Sequence, residues 1–488
     1  MTTPLSRRGF LVAGLSGLAV GALPNSSAWA ATGLESAVGA WSAPFDLGGI
    51  AIHAQLMFND QVLYFQYIEG DPTVDHTSLI KTWDINTGIS QLAEIGYHHD
   101  LFCAGMNQLP DGRVFVSGGH DHTTGERDAA LGVKTTDIYN PLDRSWTPGP
   151  ELSMKRWYPT AVAMPDDSTL IMGGGEAGGL PSPTVDRYDP ATNTMTTLPN
   201  TATKNLGLYP RVHLLADGRL IKTGYARRSQ FFDPSRSTWI GGPSMQYGSR
   251  RDANSVLLSG STRALTFGGQ ATRTTPATGS VEILDTAAAT PSWRTTAPLK
   301  YPRLHANAVV LPDGTVLAIG GGAVGKYRSP VKAAELFDPV TETWTELAAQ
   351  SAQRMYHATA VLLPDGRVLS AGSTAGTLSK TGEIFSPPYL FKGTRPTITE
   401  APATLGYEAT ATVITDVPVA KMVLIRPCAV THQIDSDQRV VPVDFTSVDS
   451  IHTIIGPKNS AHAPRGYYML FALGTTGVPS VAKWVKIA

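Results

Sequence analysis

The chain has 488 residues and a net charge of −1, with charged side chains at 16%, which argues against a nucleic-acid footprint or an acidic partner. Its 48 glycines and 35 prolines are dispersed among apolar runs, which excludes a disordered chain and favours a β-rich globular protein of more than one domain. The two cysteines, Cys103 and Cys428, are too few for a disulfide framework; they form one disulfide, or each has separate work.

The first element is a targeting segment. Ser6-Arg7-Arg8-Gly9-Phe10-Leu11 precedes a short apolar, glycine-rich run ending in the small-x-small site Ala28-Trp29-Ala30. Twin arginines in this layout predict a Tat-type signal over 1–30, hence an exported protein, extracellular or associated with the cell envelope. No other stretch approaches the roughly 18 apolar residues of a membrane helix, so no span is expected after signal removal. A monomer is expected.

From Trp41 to Gly96 apolar and polar residues alternate, as in IAIHAQLMF and QVLYFQYI, which predicts strands. A repeat then takes over. FCAGMNQLPDGRVFVSGG begins at Phe102, WYPTAVAMPDDSTLIMGG at Trp157, YPRVHLLADGRLIKTG at Tyr209, HANAVVLPDGTVLAIGG at His305 and RMYHATAVLLPDGRVLSAGS at Arg354. Closing glycines at 118, 173, 224, 268, 320 and 372 are spaced by 55, 51, 44, 52 and 52 residues. Periods near 50, continued by segments such as DIYNPLDRSW (137–146), FFDPSRSTW (231–239) and LFDPVTETW (336–344), are the kelch pattern of a β-propeller. Together with TWDINTGIS at 82–90, six marked copies predict seven blades over 31–390, closed by N- and C-terminal strands sharing one blade.

Counting back 15 residues from the closing glycine reaches Cys103, Tyr158, Tyr209, His305 and His357, with Tyr356 next door. Blades are related by rotation about one axis, so this slot should form a ring at one height. A packing slot would hold similar apolar residues, whereas this one collects side chains that bind metals.

The rhythm stops after Phe385, and SPPYLFKGTRPTI (386–398) marks a boundary. The segment 391–488 is strand-patterned, as in TATVITDV and YYMLFAL, and predicts a small Ig-like β-sandwich. Within it, RPCAVTHQIDSDQR (426–439) has a polar tip around His432 that could reach the propeller. The fold class is thus all-β.

Imidazole and phenolate suit copper, and nitrogen and oxygen donors in a near-square arrangement are diagnostic of Cu(II). Adjacent residues on a strand point to opposite faces, so Tyr356 and His357 can share a metal only if the backbone bends there. Taken singly, Tyr158 reads as a core tyrosine and Cys103 as a buried small residue, while His357 reads equally as packing or as a ligand. Tyr209 and His305 share the slot and are expected to line the same pocket. Arg250-Arg251-Asp252 either contacts a substrate hydroxyl or lies on a solvated blade edge. His98, His99, His120 and His122 form an alternative histidine cluster, with loop solvation as its default.

Five segments together resemble the copper-radical oxidases, the galactose oxidase and glyoxal oxidase family, over essentially the whole mature chain. They are Phe102-Cys103 before LPDGRVFVSGGHD, Arg156-Trp157-Tyr158, Arg354-Met355-Tyr356-His357, SPPYLFKGTRPTI, and Thr431-His432 followed by Asp437-Gln438-Arg439. The resemblance implies a Cys103–Tyr158 thioether cross-link, with Tyr158 as radical and equatorial copper ligand. His357 and His432 would be further equatorial ligands, with Tyr356 axial and acting as general base. It implies oxidation of a primary alcohol or hydrated aldehyde by O2, releasing hydrogen peroxide.

Departures bear on specificity. Galactose-oxidising members carry an extra N-terminal carbohydrate-binding domain, whereas here the propeller is expected almost directly after the signal. They also place a tryptophan over the cross-link, where the loop GGGEAGG has Glu176. Trp157 is in the glyoxal-oxidase-like position and is expected to shield the radical. Arg251, Tyr209, His305 and Glu176 are candidate pocket residues for a small aldehyde or alcohol, with carbohydrate as a further option. Two other functions compete: a non-catalytic kelch module binding glycans or envelope partners, and a copper protein in which Cys103 pairs with Cys428.

Overall fold

The computed structural model describes residues 33–67, 78–97, 99–121, 131–375 and 378–488. The signal expected over 1–30, and His98 and His122, lie outside the described residues. Seven antiparallel sheets follow one another as propeller blades. Blade 1 holds His53–Met57, Gln61–Phe65, Ile80–Asp84 and Ser90–Leu92. Blades 2 to 6 start with Gly105–Gln108, Thr160–Ala163, Arg211–Leu214, Asn254–Leu257 and Asn307–Val310. Blade 7 takes Ala358–Leu362, Val368–Gly372 and Thr381–Ser386 from the far end of the repeat, and Ala40–Trp41 from the near end. Trp41 pairs with Phe385, so the ring closes as expected.

Local chemistry explains the repeat. Pro-Asp-Gly tips are Asx turns: the carboxylates of Asp111, Asp313 and Asp365 accept N–H from Arg113, Thr315 and Arg367 at 3.1, 3.0 and 2.9 Å. First and second strands are mostly buried, wholly so at Asn307–Val310 and Val316–Ile319, while fourth strands such as Thr194–Thr197 face water. The repeated tryptophan staples neighbouring blades. Trp146, Trp239 and Trp41 donate their indole N–H to the carbonyls of Ala93, Ala202 and Ala348 of the preceding blade, each at 2.8 Å. The closing glycine permits the same close approach. Gly320 has φ +69°, and a Cβ there would lie 2.5 Å from the Arg354 carbonyl oxygen of the next blade.

Beyond the blades, two sheets face each other. One is Ile398–Glu400, Thr410–Thr415, Ile451–Ile455 and Phe445–Val448; the other is Thr404–Leu405, Lys483–Ile487, Gly466–Leu473, Lys421–Arg426 and Arg439–Val443. Their facing residues, among them Val413, Leu424, Ile454, Tyr468, Leu470 and Val485, form a separate core. From this sandwich a hairpin, Ala429–Thr431 and Ile434–Asp435, leaves its own sheets and adds to the inner edge of blade 1, with Thr431 opposite His53. It lies along the propeller axis. One strand touches the first strands of blades 1, 2 and 7, and the other touches those of blades 5 and 6.

Polar side chains fasten this insertion. Arg426 Nε pairs with Asp437 at 2.7 Å, and Asp437 accepts the Gln108 N–H of blade 2 at 2.7 Å. Arg439 donates to the Leu214 carbonyl of blade 4, Asn254 of blade 5 donates to the Gln433 carbonyl at 2.6 Å, and Gln438 accepts the Val310 N–H of blade 6 at 2.6 Å.

Candidate functional site

Six blades begin their first strand after a residue with φ between +40° and +66°: Cys103, Tyr158, Tyr209, Asp252, His305 and His357. Side chains rarely adopt this left-handed region, and residues held there cluster at functional sites. Five of the six are those found by counting back from the closing glycine. The sixth, Asp252, escapes that count because the blade 5 turn, Leu258-Ser259-Gly260-Ser261-Thr262-Arg263, is one residue longer than its counterparts.

The left-handed residue also resolves the problem of adjacent ligands. Tyr356 and His357 precede strand Ala358–Leu362, and their rings stack with centroids 3.9 Å apart instead of diverging. Tyr356 itself is an inserted residue. Arg156, Arg250 and Arg303 stand two positions before their slot residues, but Arg354 stands three before His357.

Each of these arginines anchors its segment. They donate to the carbonyls of their own blades' closing glycines, Gly173, Gly268, Gly320 and Gly372, at 2.8, 3.2, 3.2 and 2.8 Å. Each also pairs with a third-strand acid, Asp186, Glu282, Glu335 or Glu383, with both partners buried. His99 takes an analogous place in blade 2, 2.9 Å from Asp137.

The fifth polar group comes from the sandwich. His432 and Gln433 are the two central residues of the axial hairpin, both with positive φ, as a type I′ turn requires. This tip puts the His432 ring 4.4 Å from that of His357, 4.6 Å from Tyr158 and 5.4 Å from Tyr356, with Nε2 3.6 Å from the Cys103 sulfur. The Tyr158 and Tyr356 hydroxyls hydrogen-bond to each other. Cys103, Tyr158, Tyr209 and Ile434 pack into one buried cluster. Cys103, Tyr158, Tyr356, His357 and His432 therefore converge on one point.

The electrostatics suit a metal. Burial pushes the His357 and His432 imidazoles well below their usual range, so both are neutral. Burial also raises the Tyr158 and Tyr356 phenols and the Cys103 thiol. His357 Nδ1 is held by the Thr374 hydroxyl at 3.0 Å, and its buried Nε2 is left without a hydrogen-bond partner. His432 Nδ1 is likewise held by the Thr431 hydroxyl at 2.7 Å, which directs Nε2 inward. Two oriented Nε2 atoms and two phenol oxygens fit copper. Among the described residues no group of three His, Cys, Asp or Glu is placed to hold a metal, so phenols are needed to complete the donor set.

The remaining expected residues take distinct places. Trp157 packs edge-on against Tyr158 at 4.1 Å, and Tyr209 packs against it, tilted, at 4.4 Å while donating to the Ala104 carbonyl at 2.9 Å. His305, its pKa lowered to about 4 by burial, lies 5.1 Å from the Tyr356 ring and 3.8 Å from Asp252. The Arg250-Arg251-Asp252 cluster divides. Arg250 enters the buried pair with Glu282, Arg251 stacks on Tyr225 at 5.3 Å, and Asp252 joins the ring. Glu176 is half-buried in a loop, its N–H bonded to the Leu180 carbonyl at 2.9 Å. Cys103 and Cys428 are both buried and unpaired, which removes the disulfide alternative. His120 is buried 6.1 Å from the Trp157 ring, a wall position instead of a solvated loop.

Sequence reasoning missed Lys326 and Tyr327. They cap the small hairpin Gly322–Val324 and Arg328–Pro330, with Lys326 Nζ 4.3 Å from the Tyr356 ring centroid and Tyr327 edge-on at 5.9 Å. A two-strand insertion between the second and third strands of blade 6 falls outside the repeat, so no count reaches it.

Fold and site together define a propeller protein with an axial imidazole–phenol centre completed from a C-terminal β-sandwich. The glyoxal oxidase N-terminus family matches residues 73–385 and the galactose oxidase-like early set domain matches 395–487; the chain belongs to this family. It is 29% identical over 448 residues to a galactose oxidase of Gibberella zeae, covering 84% of this chain and 64% of that one. It is also 29% identical over 460 residues to the aldehyde oxidase GLOX of Vitis pseudoreticulata, covering 83% and 84%. The chain thus spans 64% of the length of the galactose oxidase it matches. A fungal alcohol oxidase of the AA5 family, solved in complex with copper, shares the fold with a TM-score of 0.82 at 24% identity, covering 92% of this chain and 100% of that one.

Proposed function

We propose that this protein is an exported copper-radical oxidase that converts a primary alcohol or a hydrated aldehyde, with O2, to an aldehyde or acid and hydrogen peroxide. The observation that carries this is the convergence of Cys103, Tyr158, Tyr356, His357 and His432 at one buried point. The similarity to galactose and aldehyde oxidases supports it. Tyr158, Tyr356, His357 and His432 would hold copper, in a propeller over 31–390 completed by a sandwich over 391–488. When bound, copper supplies a Lewis acid and a one-electron partner beside the tyrosine.

The chain's own residues do the rest. Tyr356, which would be held as the phenolate by bound copper, would accept the substrate hydroxyl proton, and the Tyr158 radical would remove a hydrogen atom from the adjacent carbon. O2 takes up the two hydrogens and becomes hydrogen peroxide. Cys103, joined to Tyr158, stabilises the radical, and Trp157 and Tyr209 pack against the Tyr158 ring and exclude water from it. His305, Asp252 and Lys326 flank Tyr356 and form the substrate side. Among the described residues no helix is long and apolar enough to cross a membrane.

The test is intact mass and peptide mapping after aerobic copper loading, under reductant. A Cys103–Tyr158 link lacking about two hydrogens and stable to reductant supports the oxidase. Free Cys103 after full loading points instead to a plain copper protein or a non-catalytic binding module.

A further inference from the structure

We propose that His53 is a positioning residue that holds Cys103 in the left-handed backbone conformation from which the thioether forms. The geometry stands by itself; its consequence for cross-linking rests on the oxidase reading above. His53 is wholly buried, and its Nε2 accepts the Cys103 backbone N–H at 3.0 Å. Its ring is fixed by stacking on Phe65, 4.2 Å away and inclined by 12°.

The ring of slot residues shows why this bond exists. Tyr158 donates its N–H to the Cys103 carbonyl at 2.9 Å, Tyr209 to that of Tyr158 at 2.7 Å, and His305 to that of Asp252 at 3.0 Å. In these cases the preceding blade's slot carbonyl satisfies the amide. Cys103 follows blade 1, where neither Ala51 nor Ile52, directly before the first strand, is left-handed, and the Ala51 carbonyl there accepts from the Thr359 hydroxyl at 2.9 Å. The buried amide of Cys103 needs another acceptor, and His53 provides it. The same Nε2 lies 3.4 Å from the Thr431 hydroxyl, which holds His432 Nδ1 at 2.7 Å. His53 therefore couples the backbone of the cross-linking cysteine to the hairpin that carries His432.

In cross-linking, a C–S bond replaces the Cys103 S–H and a Tyr158 ring C–H, and two protons and two electrons pass to O2, giving hydrogen peroxide. The residue that fixes Cys103 should alter how often the sulfur meets the ring, with no direct part in the redox chemistry.

Two variants separate this role from simple packing. His53→Phe keeps the ring and its stacking but removes the acceptor, whereas His53→Gln places an amide oxygen near the former Nε2. Two readouts follow: alkylation of Cys103 in the metal-free protein, and the half-time of the two-hydrogen mass loss after copper and O2 are added. In H53F, alkylation should be faster and cross-linking slower by about tenfold each, with H53Q within about threefold of wild type, as expected for loss and return of one buried hydrogen bond. Wild-type rates in H53F on both readouts would overturn the proposal, as would H53Q matching H53F. If H53F fails to fold, His53→Asn, polar but too short to reach the amide, makes the same comparison. If the wild-type chain itself never loses two hydrogens, the oxidase reading falls and the alkylation ratio alone decides the role of His53.

Discussion

At the scale of single residues, the site is assembled from conformations that cost free energy. Six non-glycine slot residues in the left-handed region, and two more at the His432–Gln433 tip, each cost on the order of 1–3 kcal/mol, and the blades and hairpin hold them there. Their benefit is direction, since side chains that regular strands would splay apart meet at one centre. Cys103→Ala should leave copper binding largely intact, abolish the two-hydrogen mass loss and remove most turnover; mass spectrometry and peroxide release check this together. Thr431→Val frees His432 Nδ1 and should weaken copper binding by about 10–100-fold, read by titration of the metal-free protein.

At the scale of elements, the slot was legible because its distance from the closing glycine is constant wherever the Pro-Asp-Gly turn keeps its length. Asp252 escaped the count through a single extra turn residue, and Tyr356 was reached only as the neighbour of His357, because one extra residue separates Arg354 from His357. Neither insertion changes the hydrophobic pattern, so periodicity does not reveal them. The hairpin at His432 was visible only as a polar tip, because type I′ turns are signalled by Asn-Gly and this one is His-Gln. The arginine–acid pairs were equally silent, since their partners lie about 30 residues apart and meet only after pairing of the strands. Glu335→Ala strands the buried Arg303 guanidinium and should destabilise the protein by about 3–5 kcal/mol, measured by denaturant unfolding. The Lys326 hairpin sets its ammonium over Tyr356, where on the oxidase reading it would meet a negatively charged substrate group. Lys326→Met should lower kcat/KM for a carboxylate-bearing aldehyde about tenfold relative to a neutral one of similar size, the equivalent of one lost ion contact; an unchanged ratio would remove Lys326 from substrate recognition.

For the whole molecule, propeller and sandwich meet through the axial hairpin and its polar fastenings. Period and composition gave the blades and the β-sandwich, but not the fact that a C-terminal strand completes the inner edge of blade 1. That pairing links residues 53 and 431, a separation no local pattern encodes. Asp437→Ala breaks the buried bridge between Arg426 and the Gln108 amide. It should cost about 3–5 kcal/mol and also weaken copper binding, because the loosened hairpin carries His432. Loss of stability with unchanged copper affinity would show that the tip is positioned by the blades alone.

The hairpin also sets an order of events. Cys103, Tyr158, Tyr356 and His357 all leave the ribosome before His432, and the four together lack the second imidazole until the sandwich threads its tip into the axis. On the oxidase reading, cross-linking would therefore wait until the sandwich has folded onto the propeller, so that the hairpin would act as a safety catch on chemistry that could damage a half-built protein.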